Sequence, residues 1–113
     1  MKDYLLLFRG GEMQGLSEEE RNKHLAKWGE WIGGLAKAGK FAGGDPLGQE
    51  ARVITGKKMA VTDGPYAESK EMIGGYLIIK ADDLNGATAI SKGCPIYEVN
   101  GITEIREIQH MDF

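Results

Sequence analysis

Lys2-Asp3-Tyr4-Leu5-Leu6-Leu7-Phe8-Arg9 decides the fold. Successive side chains of a strand point to opposite faces, so Tyr4, Leu6 and Phe8 share one face while Leu5 and Leu7 share the other. Both faces are apolar, which marks a central strand covered on two sides. Met72 to Lys80 repeats the pattern, with Tyr76 and Ile78 on one side and Leu77 and Ile79 on the other. Between these runs Ser17 opens a helix. Leu16 precedes it and Glu20 stands at its third position, the capping-box arrangement in which each side chain satisfies the other residue's backbone N–H. The helix is predicted to run to Lys37 or Ala38. Leu25, Trp28, Ile32 and Leu35 form its apolar stripe, flanked by His24 and Trp31, with Gly39 as C-cap.

The remaining elements follow from breakers and caps. Phe41 to Gly48 reads as a loop, and Ala51 to Thr55 and Lys58 to Thr62 read as two short strands joined at Gly56-Lys57. Asp82 and Asp83 can cap a shorter helix to about Lys92, with Leu84, Ala87 and Ile90 as its apolar face, and Ile102 to Ile108 is the last strand. The order is therefore strand, helix, hairpin and strand, helix, strand. This is the α+β pattern of a ferredoxin-like sheet with two helices on one face and an extra β-hairpin before the Asp-Gly-Pro loop that starts at Asp63. Two helices cover only one face of such a sheet. The other face is also apolar on both central strands, and packing against a second copy would bury it, so a homodimer is expected.

Composition narrows the function classes. A chain of 113 residues fits one domain, 1–113, with no linker. The net charge of −3 with interspersed signs provides no basic stripe, which argues against nucleic acid as a partner. A single cysteine, Cys94, rules out an intramolecular disulfide and suits a reducing compartment. Neither a leader pattern nor an apolar run of membrane-spanning length is visible, so a cytoplasmic protein without a membrane partner is expected. His24, His110 and Cys94 are widely separated, so no metal or other cofactor is predicted. Gly34 to Lys40 matches the start of a phosphate-binding loop, but Phe41 occupies the required Ser/Thr place and the match lies at a helix end.

The segment Val61-Thr62-Asp63-Gly64-Pro65-Tyr66-Ala67-Glu68-Ser69-Lys70-Glu71 carries the strongest motif. Gly and Pro constrain the backbone from opposite directions and Asp caps its own turn, giving a rigid loop that displays Tyr66, Glu68 and Lys70. With Gly43-Gly44-Asp45-Pro46-Leu47, Gly74-Gly75-Tyr76, the capped helix carrying His24 and Trp28, and Gly93-Cys94-Pro95, the chain resembles the YCII-related family, in the branch marked by an Asp-Gly-Pro-Phe motif. Tyr66 stands in the Phe place. The resemblance implies a dimeric α+β barrel of ferredoxin-like subunits. It also implies an acid/base pair of a helix His, matched by His24, and an Asp just before a Pro, where this chain has Gly93-Cys94.

The candidate catalytic residues are thus His24, with Asp45 or Asp63 supplying the carboxylate; their structural alternatives are a helix histidine packed beside the tryptophans and two turn caps. Trp31, Tyr66 and Lys70 are candidates for holding a ligand, and Trp31 is the better pocket residue of the two tryptophans. Cys94 reads as a small buried thiol. Two functions follow. One is a cleft between the His24 helix and the Asp-Gly-Pro loop that binds a small polar cyclic or aromatic molecule, with elimination or isomerisation as its chemistry. The other is a non-catalytic interaction module tied to sigma-factor-type regulation, which should be captured with a protein partner and not stabilised by a metabolite.

Overall fold

The computed structural model describes residues 1–64 and 72–113. Tyr66 and Lys70, expected to contact a ligand, lie outside the described residues. The elements are β1 (Lys2–Arg9), α1 (Glu18–Lys37), β2 (Phe41–Pro46), β3 (Ala51–Thr55), β4 (Ala60–Gly64), β5 (Ile73–Ala81), α2 (Leu84–Ser91), a 3₁₀ turn (Pro95–Val99) and β6 (Ile102–Glu107). The four-stranded sheet has the order β2-β5-β1-β6, with every neighbouring pair antiparallel, and β3-β4 form a separate hairpin. Setting the hairpin aside leaves a βαββαβ arrangement, the expected ferredoxin-like class, with β2 supplying its second strand.

Local chemistry explains where α1 begins and ends. Ser17 Oγ accepts from the Glu20 backbone N–H at 3.1 Å, and the Ser17 N–H donates back to Glu20 Oε1 at 3.3 Å. At the other end Gly39 takes φ +72°, so that its N–H reaches Ala36 O at 3.1 Å and the Lys40 N–H reaches Leu35 O at 2.9 Å. That pair of bonds is the left-handed glycine cap, and it turns the chain directly into β2. The second helix begins on Asp83, whose Oδ1 accepts from the Gly86 N–H at 2.7 Å.

The helices cover one face of the sheet. Tyr4, Leu6, Phe8, Leu77, Ile79 and Ala81 are buried beneath them with Leu35 and Ala87, and Trp28, Trp31, Ile32 and Ile90 pack against this core. Leu5, Leu7, Tyr76 and Ile78 occupy the face without helices, paired Leu5 with Ile78 and Leu7 with Tyr76. Charged pairs frame this apolar centre: Lys80 Nζ–Asp3 Oδ1 at 3.2 Å and Arg9–Glu104 at 2.8 Å. The uneven alternation of β6 follows from its register: Ile105 sits opposite Leu6 on the covered face, whereas Glu104 sits opposite Leu7 on the other.

Two boundaries differ from the sequence expectation. Phe41–Pro46, expected as a loop, is the edge strand of the sheet. Its glycines conceal it: Gly43 and Gly44 adopt φ +136° and +148°, and a register shift falls between Phe41 and Gly43. A Cβ on Gly44 would stand 2.5 Å from Leu77 Cδ2 and closer still to the Tyr76 carbonyl, so the strand can lie against β5 only with glycine there. The hairpin also turns later than expected, over Gly56 to Met59, with the Met59 N–H donating to Gly56 O at 3.0 Å. Asp63 is in consequence a strand residue opposite Arg52 and not a turn cap.

Candidate active site

Helix α1 lies over the end of the sheet where Gly10-Gly11 after β1, Gly44 on β2 and Gly74-Gly75 on β5 come together. Gly75 faces the backbone of Asp45 and Pro46, which a Cβ would approach to 3.3 Å, so its smallness permits close strand contact. Gly74 has nothing within 4 Å of its Cβ position and falls at the register shift where β1 passes from Phe8 opposite Gly75 to Arg9 opposite Ile73. The bulge leaves open space, and that space is a cavity of about 450 Å³. Phe8, Met13, Trp28, Leu77, Ile96 and Val99 supply most of its apolar wall, and His24 supplies an imidazole. Leu25, part of the helix's apolar stripe, also lines it and is 59% exposed, so it stands at the opening. The volume is in the range of small-molecule sites, and so is the lining, largely apolar with few polar groups.

His24 is 6% exposed, and both of its ring nitrogens have partners. The Trp28 indole, one helical turn on, donates Nε1–H to His24 Nε2 at 3.0 Å. Because an indole N–H can only donate, Nε2 is the accepting nitrogen and the neutral ring carries its proton on Nδ1. Nδ1 lies 3.4 Å from Glu98 Oε2, and the other Glu98 oxygen accepts from Lys27 Nζ at 2.8 Å. Lys27 above all, and His24 as a further partner, hold the Glu98 carboxyl below the usual carboxylate range, against the opposing effect of desolvation. Edge-to-face contacts fix the indole, with centroids 5.1 Å from Phe8 and 5.8 Å from Trp31. The arrangement is a carboxylate–imidazole–indole chain that begins near solvent and ends in the cavity.

The carboxylate facing His24 is therefore Glu98, in place of the expected Asp45 or Asp63. Asp63 lies on the hairpin, 3.2 Å from Arg52. Asp45 borders the same cavity as His24, but it pairs with Tyr76 and so belongs to the row on the face away from α1. Trp28, not Trp31, is the tryptophan beside His24. Trp31 lines a separate, open depression of about 600 Å³ with Lys27, Cys94, Tyr97 and Glu98. Burial pushes the Cys94 thiol up to about 12, so it carries no thiolate near neutral pH and is no nucleophile. Trp28 could have been found from the sequence, since it is i+4 from His24. Glu98 could not: it arrives from a 3₁₀ turn 74 positions along the chain, and only the packing of that turn on α1 brings it there.

The family model for the YCII-related domain matches residues 4–112. The chain belongs to the YCII-related family. No curated protein matches it. Among solved structures it is similar to 5-chloro-2-hydroxyhydroquinone dehydrochlorinase from Burkholderia phenoliruptrix AC1100 in complex with 2,5-dihydroxybenzoquinone, with a TM-score of 0.55 and 17% identity over 96% of this chain and 95% of that one. A likeness at that identity establishes the fold. Among the described residues of this YCII-related chain, no group of three or more His, Cys, Asp or Glu is placed to hold a metal, and no helix is long and apolar enough to cross a membrane.

Proposed function

We propose that this protein binds a small polar cyclic or aromatic molecule in the cavity beside His24 and carries out proton-transfer chemistry of the elimination or isomerisation type. The observation that carries the reading is a buried imidazole that lines a largely apolar cavity, with the Trp28 N–H on its Nε2 and a carboxylate 3.4 Å from its Nδ1. Once a ligand displaces the Trp28 N–H, His24 Nε2 would take a proton from that ligand. The electron pair released would either form a new double bond and expel a leaving group or shift along the ring to a second position, which takes the proton back from the imidazolium. Glu98 would hold the Nδ1–H tautomer and stabilise the imidazolium, and Lys27 would keep Glu98 in place. The name dehydrochlorinase denotes an elimination, so the similar structure lends support to that class.

The same proposal includes the assembly and the branch. Leu5, Leu7, Tyr76 and Ile78, with their charged rim, suit a face shared by two copies in a dimeric α+β barrel, and Asp63-Gly64-Pro65-Tyr66 supports a place in the Asp-Gly-Pro-Phe branch. A single cysteine, with no partner in the chain for a disulfide, suits the reducing cytoplasm.

The test is a thermal-shift screen of one- and two-ring hydroxy-aromatics and lactones. The expected result is a concentration-dependent rise in melting temperature for some of these compounds, lost in His24→Ala. A screen in which no ring compound stabilises the wild-type protein would remove the reading.

A further inference from the structure

We infer that the Trp28–His24 pair reads two adjacent oxygens on the ligand, so that the cavity selects rings bearing a hydroxyl next to a second oxygen: catechols, ortho-hydroxy ketones or enolised vicinal diketones. The inference rests on the proposed cavity function and adds a substrate class to it. In the structure the His24 lone pair is already taken, by the Trp28 N–H at 3.0 Å. A ligand that only brings a hydroxyl to Nε2 breaks this bond and leaves the indole N–H unpartnered inside an apolar pocket, a cost comparable to a lost hydrogen bond. A ligand that brings a hydroxyl and a neighbouring acceptor replaces both halves at once. Its O–H donates to Nε2, and its second oxygen accepts from Nε1–H. Sites built on paired polar groups reject analogues that leave one of them unmet far more strongly than sites that measure apolar size.

The surroundings fix the pair in this role. Glu98 keeps the ring proton on Nδ1, so Nε2 is presented as an acceptor and a ligand carbonyl alone finds no donor on His24. Phe8 and Trp31 meet the indole edge-on and hold its ring beside His24, so the N–H and the imidazole lone pair stay neighbours on the cavity wall when a ligand parts them. The remaining wall near the pair, Met13, Leu77, Ile96 and Val99, is apolar and suits the carbon skeleton of a flat ring.

Four matched bicyclic compounds separate the possibilities: 2,3-dihydroxynaphthalene, 3-methoxy-2-naphthol, 2,3-dimethoxynaphthalene and 2-naphthol. Titration calorimetry on the wild-type protein is expected to show the first two, which keep one O–H and an adjacent acceptor, binding with similar affinity. The dimethyl ether, which has no donor, and 2-naphthol, which has no adjacent acceptor, are expected to bind at least about tenfold more weakly. In Trp28→Phe the preference for 2,3-dihydroxynaphthalene over 2-naphthol is expected to shrink to within about twofold, because Phe offers no N–H to satisfy. Nitrogen-15 spectra of His24 in the wild-type protein supply a readout that does not depend on that variant. They should show Nε2 unprotonated in the free protein and perturbed by the first two compounds only. Equal affinity for all four, or a free His24 protonated on Nε2, would overturn the inference while leaving the cavity reading intact. If none of the four binds and the ring-compound screen also fails, both fall together.

Discussion

The pairs β1–β5 and β3–β4 are both antiparallel and both carry branched apolar residues opposite one another, yet Leu6 and Leu77 are 0% and 4% exposed while Ile54 and Val61 are 64% and 60% exposed. The difference lies in what surrounds each pair. β1 is flanked by β5 and β6 and roofed by α1 and α2, whereas among the described residues β3 and β4 pair only with each other. A two-stranded hairpin is marginal by itself in water, so the rest of the chain must hold its ends. Alternation makes a strand, and coverage makes it a core. The candidate site sits between the two regimes, where Gly74-Gly75 and the end of β2 leave the covered layer and the chain leads out to the hairpin.

The sharpest test of that contrast is truncation on both sides. Leu6→Ala removes a fully buried side chain and is expected to cost about 2–5 kcal/mol of stability, whereas Ile54→Ala should stay within about 0.5 kcal/mol. Urea unfolding of the two variants would measure both. Equal losses would mean that the hairpin is covered in solution and that the contrast belongs to the isolated subunit alone.

The next largest effect concerns the edge strand. Gly44→Ala forces a Cβ into the Tyr76 carbonyl and Leu77 at φ +148°, and strain plus overpacking should cost at least about 2 kcal/mol. Gly48→Ala, with nothing within 4 Å, should be nearly neutral. If both were neutral, β2 would not be tied to β5 as described, and the cavity would lose a wall.

These residues also show what could be read in the sequence. The two-sided apolar runs of β1 and β5, the Ser17–Glu20 box and the Gly39 cap are local signals, and each lies where it was expected. β2 was hidden because its strand character comes from backbone pairing at Gly43-Gly44, where no side chain records it. The site divides the same way. His24 and Trp28 are readable one turn apart on a helix, while the carboxylate behind them depends on how the 3₁₀ turn docks. Asp45 is near His24 along the cavity wall but on the wrong side of the pleat, a distinction that only register can make.

A smaller effect is expected at the start of the helix that carries the site. Ser17→Ala removes the acceptor for the Glu20 N–H and should cost about 1 kcal/mol. The loss should be visible in the unfolding midpoint. His24, well beyond the first turn, should keep its tautomer, and a change there would mean that fraying reaches the site.

The smallest effect is the most informative about Glu98. Its carboxyl is held below the ordinary value of 4.5, mainly by Lys27 and then by His24. A carboxylate with a depressed folded-state pKa adds stability above its unfolded value, and that contribution is lost as pH falls through the folded value. Glu98→Gln should therefore lower stability slightly near pH 7, and the gap from wild type should close as pH falls below the ordinary glutamate value of 4.5. Glu98 is 47% exposed, so salt should reduce the gap. On the hairpin the Arg52–Asp63 pair, 66% and 87% exposed at 3.2 Å, offers the matched control, and Asp63→Asn should change neutral-pH stability by less still. A Glu98→Gln gap that persisted unchanged into acid would mean that packing, not charge, is what the residue gives to His24. Glu98 would then lose its role of stabilising an imidazolium, and the chain ending at the cavity would reduce to the indole and the ring.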